Sequence, residues 1–78
     1  MALLRLFGPA REAAGIAEVV LPGQNVSAIM TAAIALFGEP FSEILATSNV
    51  WLNGDPVQPD VRVGEGDEVA VIPPVSGG

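Results

Sequence analysis

The sequence predicts an α+β fold, a mixed sheet crossed by one main helix, on three observations. Two strand-like stretches, "ALLRLFG" and "AEVVLPG", come first. One long amphipathic segment, "SAIMTAAIALFG", follows them. The chain then returns to short strands and to a last one, "EVAVIPP", near its end. Its 78 residues leave room for one domain, near the small end of what folds around a single core without disulfides or metal. Half of the residues are apolar but only three Phe and one Trp are aromatic, so Leu, Ile, Val and Ala must fill that core.

In "ALLRLFG", Leu4 and Leu6 fall on one face of a strand and Leu3, Arg5 and Phe7 on the other. Gly8-Pro9 closes it. "AREAAG" reads as a short helical turn at most, stopped by Gly15, and "AEVVLPG" as a second strand ended by Pro22-Gly23. Ser27 is a candidate N-cap for the long helix, with Asn25 as the other choice, and Gly38 suits the position just past its end. Ile29, Ala33, Leu36 and Phe37 lie at helical spacing, with Met30 and Ile34 widening the stripe, so this face should lie on the sheet. Met30 is read as core packing rather than as a ligand.

"EPFSEILATS" restarts after Pro40 as one more helical turn, carrying Phe41, Ile44 and Leu45 into the core. "NVWLNGDPV" reads as a short strand, a turn at Asn53-Gly54, and a return bearing Val57 and Val61. "VGEGDE" is a second glycine-rich turn. It has no Lys and three acids beside its glycines, so it would repel a phosphate. In the last strand Val69 and Val71 share one face, Ala70 and Ile72 the other. Two early strands, a crossing helix and a late strand match a β-grasp arrangement, with the last strand pairing centrally beside the first. No internal repeat, heptad pattern or low-complexity segment interrupts the chain.

Composition removes whole classes of chemistry. With no Cys and no His, disulfides, thiolate nucleophiles, imidazole bases and the common zinc ligand sets are excluded, and no metal site is expected. Nine acids stand against Arg5, Arg11 and Arg62, with no lysine, giving a net charge of -6. That balance argues against nucleic acid and for a basic partner surface, with solubility alone as the competing explanation. No basic segment followed by a sustained apolar run opens the sequence, and "VSAIMTAAIALF" is too short to span a bilayer. A soluble, cytoplasmic protein with no membrane contact is expected.

The end of the chain carries the sharpest signal. Pro73 and Pro74 fix φ and lack a backbone N–H, so the chain should leave the sheet at about Ile72. The organisation expected is therefore a domain over 1–72 and an extended tail over 73–78. Six residues reach about 20 Å when extended. Prolines stiffen the base of such an arm, and Gly77-Gly78 leave its tip without side-chain bulk. A glycine tip suits the threading of a carboxylate down a narrow channel in another protein. Gly78 would then react once its carboxylate is activated, for example by adenylation with ATP, and a sulfur or amine donor would complete the transfer. The plain alternative is a frayed terminus that happens to end in glycines. The missing lysines would spare an activated acyl group from self-attack, although drift in an Ala- and Val-rich composition explains them as well.

"LFGPAREAAG", "WLNGDPV" and "GDEVAVIPPVSGG", in this order over essentially the whole chain, resemble the small sulfur-carrier subunit of molybdopterin synthase. That family is ubiquitin-like, with the β-grasp fold, and is related to the thiamine-pathway sulfur carrier. The resemblance implies a non-catalytic carrier subunit of a sulfurtransferase that works in molybdenum cofactor biosynthesis. Gly78 would be adenylated by a ubiquitin-activating-type enzyme that uses ATP, converted to a thiocarboxylate, and inserted into the large subunit of a heterotetramer. There it would donate sulfur to cyclic pyranopterin monophosphate, two carriers building the dithiolene. No tightly bound cofactor is implied for the carrier itself.

The resemblance also assigns the remaining site residues. Pro73, Pro74, Val75, Ser76 and Gly77 would form the inserted tail. Phe7, Val57 and Ile72 would offer apolar contacts to partners, with a place in the core as the equal alternative for Phe7 because one strand face must be buried, and Arg11 an ion pair, structural or at the interface. Many relatives carry an aromatic residue where this chain has Ile72, a departure that bears on the contact area and not on sulfur transfer. Three readings compete: a sulfur carrier for thiamine or amino-acid biosynthesis, a ubiquitin-like modifier joined to lysines of target proteins, and a binding module with an inert tail.

Overall fold

The structure, a computed structural model, describes residues 1–74. Eight elements follow in order: β1 (Ala2–Leu6), α1 (Gly8–Ala14), β2 (Glu18–Leu21), α2 (Val26–Phe37), α3 (Glu39–Ala46), β3 (Asn49–Leu52), β4 (Asp55–Pro56) and β5 (Glu68–Ile72). The strands form one sheet in the order β2-β1-β5-β3-β4. Only the central pair, β1 with β5, is parallel; β1–β2, β3–β5 and β3–β4 are antiparallel. The last strand thus lies beside the first, with the helices on one face, as the β-grasp arrangement requires.

Strand alternation decides which face is covered. Ala2, Leu4 and Leu6 of β1 and Val69 and Val71 of β5 are buried, and the register sets Leu4 beside Val69 and Leu6 beside Val71. Over this row lie Val26, Ile29, Met30 and Ala33 of α2, at spacings of three and four that make one helical stripe. Phe41 of α3 is fully buried, and its ring meets that of Phe37 at 5.1 Å between centroids. Each buried Val, Leu, Ile, Met or Phe side chain contributes roughly 1.5–3 kcal/mol of burial free energy. Among the described residues no polar or charged residue is buried, so the core holds its shape by packing alone.

Four local details differ from the sequence expectation. First, α1 is a helix of seven residues rather than one turn. Gly8-Pro9 ends β1 but also starts this helix, because a proline in the first turn forfeits only an N–H that has no helical partner. Second, α3 begins at Glu39 and takes Pro40 into its first turn for the same reason. Third, Leu36 is 57% exposed; it stands at the edge of the α2 stripe in the last turn, where Phe37 turns to Phe41 instead. Fourth, β4 is only two residues long, so Val61 does not return along β3. Its carbonyl accepts from the Val26 N–H at 3.0 Å.

That last contact explains how α2 begins. Asn25 is the N-cap, its Oδ1 accepting from the Ala28 N–H at 2.8 Å, and Ser27 lies inside the helix. The Ser27 N–H donates to the Pro59 carbonyl at 2.8 Å. The first N–H groups of α2 are therefore occupied by the loop that precedes β5, and the helix start offers no anion site. Asn53 and Gly54, with φ of 50° and 89°, make the two-residue turn their dipeptide predicts. Among the described residues no helix is long and apolar enough to cross a membrane.

Candidate functional site

The candidate site is the end of β5, where the chain leaves the sheet, together with the sheet face that the helices leave open. In a parallel ladder one residue donates its N–H to the residue before its partner and accepts from the residue after it. Leu3 begins this pattern, donating to the Asp67 carbonyl at 3.1 Å, and Phe7 ends it, donating to the Val71 carbonyl at 3.1 Å. The next bond would run to the Phe7 carbonyl from the N–H of residue 73. That residue is Pro73, which has none, so the ladder stops and β5 ends at Ile72.

Phe7 keeps strand-like geometry, with φ −129° and ψ 154°, and stands beside Ile72 one step past the Leu6–Val71 pair. Phe7 is 44% exposed, a high value for so large an apolar ring. Ile72 and Pro73 are partly buried and Pro74 is exposed. Behind them the open face runs as rows across the strands. One row is Glu18, Arg5, Ala70, Trp51 and Pro56, and another is Val20, Leu3 and Glu68.

Arg5 is the charged centre of this face. Its Nε lies 3.3 Å from Glu18 Oε2 and its Nη1 3.7 Å from Glu68 Oε2. All three side chains remain about half exposed, so these pairs add little to stability, at most about 1 kcal/mol each. One positive charge between two carboxylates leaves the face acidic around an apolar surround.

The sequence-predicted site residues divide by place. Phe7, Ile72, Pro73 and Pro74 meet at the chain exit. Arg11 is exposed on α1, and among the described residues the ion pairs are made by Arg5 and not by Arg11. Val57 lies elsewhere. Pro56 pairs with Trp51 on the open face, so its neighbour Val57 points the opposite way and packs at the margin of the core. Val75, Ser76, Gly77 and Gly78 lie outside the described residues. Arg5, Trp51, Leu3 and Val20 were not singled out from the sequence. The parity of β1 was the available signal, since Leu3 and Arg5 share the alternating set of Phe7.

The described residues hold no Cys or His, and they contain no group of three or more His, Cys, Asp or Glu side chains able to hold a metal ion. The Asp67 carboxyl is held below the usual aspartate range, first by the Gly64 N–H and then by the Asn53 amide. It sits at the turn before β5, at the opposite end of that strand from the chain exit. The site can therefore present a surface and aim a segment of chain, and its described residues bring carboxylates but no thiol or imidazole.

The sequence model of the ThiS family matches residues 4–78. A putative molybdopterin converting factor subunit 1 from Pyrococcus furiosus is similar at 29% identity and a TM-score of 0.81, with 95% of this chain and 97% of that one covered. SAMP1, the small archaeal modifier protein 1 of Haloferax volcanii, is 28% identical at a TM-score of 0.77, with 99% and 98% covered. A chain of the complex between subunits 1 and 2 of the molybdopterin-converting factor from Helicobacter pylori shares the fold at 24% identity and a TM-score of 0.72, with 99% and 97% covered.

Proposed function

The chain belongs to the ThiS family of ubiquitin-like sulfur carriers, and from that premise we propose that it is the sulfur-carrier small subunit of molybdopterin synthase. The observation that carries this reading is the exit of the chain at Pro73, beside an exposed Phe7 and an open sheet face. Such a surface suits a partner that must bind the domain and receive its tail together. Similarity to the Pyrococcus furiosus protein, at 29% identity over nearly the whole of both chains, supports the molybdopterin assignment.

The chemistry proceeds on the carboxylate of Gly78. On a ubiquitin-activating-type enzyme, a carboxylate oxygen attacks the α-phosphorus of ATP, the bond from that phosphorus to the bridging oxygen breaks, and pyrophosphate leaves. A sulfur donor at the hydrosulfide level then attacks the acyl carbon, AMP leaves, and a proton is lost to give the thiocarboxylate. In the large subunit this sulfur attacks a ring carbon of cyclic pyranopterin monophosphate, and the bond from that carbon to its oxygen substituent breaks. The oxygen leaves as water or stays on the phosphate, and a thioester to the carrier remains. Water takes the acyl carbon and restores the carboxylate. Proton transfers fall to the partners, because this chain has neither imidazole nor thiol.

Similarity to the Haloferax volcanii modifier protein favours a second reading, in which a lysine amine rather than sulfur attacks the same acyl-adenylate and forms an isopeptide bond. A thiamine-type carrier would share the thiocarboxylate and differ only in the acceptor. Reconstitution separates the three. Thiocarboxylated chain, mixed with a large subunit already active with another small subunit and with cyclic pyranopterin monophosphate, is expected to yield molybdopterin. No product under those conditions would refute the molybdopterin assignment and direct the search to another acceptor.

A further inference from the structure

Gly8, the first residue of α1, has a φ of 55°, in the left-handed region. A Cβ built on it would stand 2.8 Å from Pro73 Cγ, 3.6 Å from Cδ and 3.8 Å from Cβ. The clash cannot be relieved by rotation, because the pyrrolidine is a closed ring. The bare Cα of Gly8 therefore provides the space in which the ring of Pro73 lies, one residue past the last ladder bond at Phe7 and Val71.

Covalent structure already restricts this stretch. Pro73 and Pro74 each fix their own φ near −65° and hold the preceding residue extended. Within that extended range ψ of Ile72 can still vary by about 40°, and the close approach of the Pro73 ring to Gly8 narrows it further. The consequence grows with distance from the contact. Five residues span about 16 Å when fully extended, and at that reach an error of about 10° at the base would displace the tip by about 3 Å. Reacting atoms must come within about 3–3.5 Å, and a misplacement of about 1 Å can cost up to a hundredfold in rate.

We infer that Gly8 is a positioning residue for the chemistry of the tail: it seats Pro73 and so sets the direction in which the chain leaves the sheet. This rests on the carrier reading of Gly78. A purely conformational role, in which glycine serves only to adopt a positive φ, makes a different prediction. Pro73→Ala removes the ring but also frees φ of residue 73 and supplies an N–H to the Phe7 carbonyl, so the distinction lies in the double variant: under a purely conformational role the two losses are independent and multiply.

The test uses the full chain with its activating enzyme and ATP, comparing Gly8→Ala, Pro73→Ala and the double variant by the rate of acyl-adenylate formation. Each single substitution is expected to lower kcat about tenfold with KM within about twofold, and the double variant to be no slower than the slower single one. A wild-type kcat for Pro73→Ala, or losses that multiply in the double variant, would overturn the proposal. If Gly8→Ala does not fold, proton NMR of the wild-type chain still decides: a cross-relaxation peak between Gly8 Hα and Pro73 Hγ is expected, and its absence overturns the contact. A wild-type chain left unadenylated by an enzyme that is active on its own carrier refutes the carrier reading itself. The Gly8 to Pro73 peak, present or absent, keeps that failure distinct from failure of the contact.

Discussion

The amide of Asn53 donates to Asp67 Oδ1 at 3.1 Å, joining the turn between β3 and β4 to the acidic turn ahead of β5. Asn53 Oδ1 in return accepts from the Glu68 N–H at 2.9 Å, and Asp67 Oδ2 accepts from the Gly64 N–H at 2.8 Å. Two turns far apart in sequence thus fix the start of the strand whose other end releases the tail. The two bonds to Asp67 call for acceptor oxygens on that side chain, which ties this junction to pH.

These bonds hold the folded pKa of Asp67 below the ordinary aspartate value of 3.8, the Gly64 N–H contributing most. A depressed folded pKa contributes stability that is fully present above the unfolded value and is lost as pH falls through the folded one. Asp67→Asn is therefore expected to be less stable than wild type near neutral pH, with a gap that narrows below pH 3.8. Urea unfolding across this range checks it, and a gap that stays constant on acidification would contradict it.

Phe41 has no exposed surface and packs against Phe37. Phe41→Ala should cost about 3–5 kcal/mol, much of the stability a domain of this size possesses. Chemical denaturation gives the value directly. A loss under about 1 kcal/mol would mean that the core is not organised around this ring.

Phe7 should behave in the opposite way. Its ring is 44% exposed, so Phe7→Ala should change stability by less than about 1 kcal/mol. If the chain exit is a docking surface, the same substitution should weaken binding to the large subunit at least tenfold, about 1.4 kcal/mol, by calorimetry. Unchanged affinity would remove Phe7 from the interface.

The net charge of -6 predicts electrostatic steering toward basic partner surfaces. Association rates measured by stopped flow should fall as ionic strength rises, with dissociation rates changing less. A rate insensitive to salt would leave solubility as the only use of the acidic surface.

Much of this architecture is legible in the residues themselves. The alternation of Leu4 and Leu6 with Leu3 and Arg5 assigns the two faces of β1, and Asn53-Gly54 specifies its turn. Pro73 marks the end of β5 because a missing N–H is a chemical fact before it is a structural one. The length of α1 was obscured because Gly8-Pro9 is at once a strand stop and a helix start. Leu36 misled because periodicity shows where a stripe runs but not where its neighbours end. Trp51 joins Arg5 on one face only through the sheet order, which brings β1, β5 and β3 together across long sequence separations. The contact of Gly8 with Pro73 depends on that same pairing and has no local signature.

The carrier account rests on Gly78, and the most direct measurement is the intact mass of the chain after incubation with ATP, a molybdenum-pathway adenylating enzyme and a sulfur donor. A chain lacking Gly78 serves as the control; its stability should be within about 0.5 kcal/mol of wild type, since the deletion removes one terminal residue that has no side chain to pack. The account predicts a gain equal to the replacement of one oxygen by sulfur, located at the C-terminus and absent from the control. No gain with an enzyme shown to be active on another carrier, or an equal gain in the control, would contradict it.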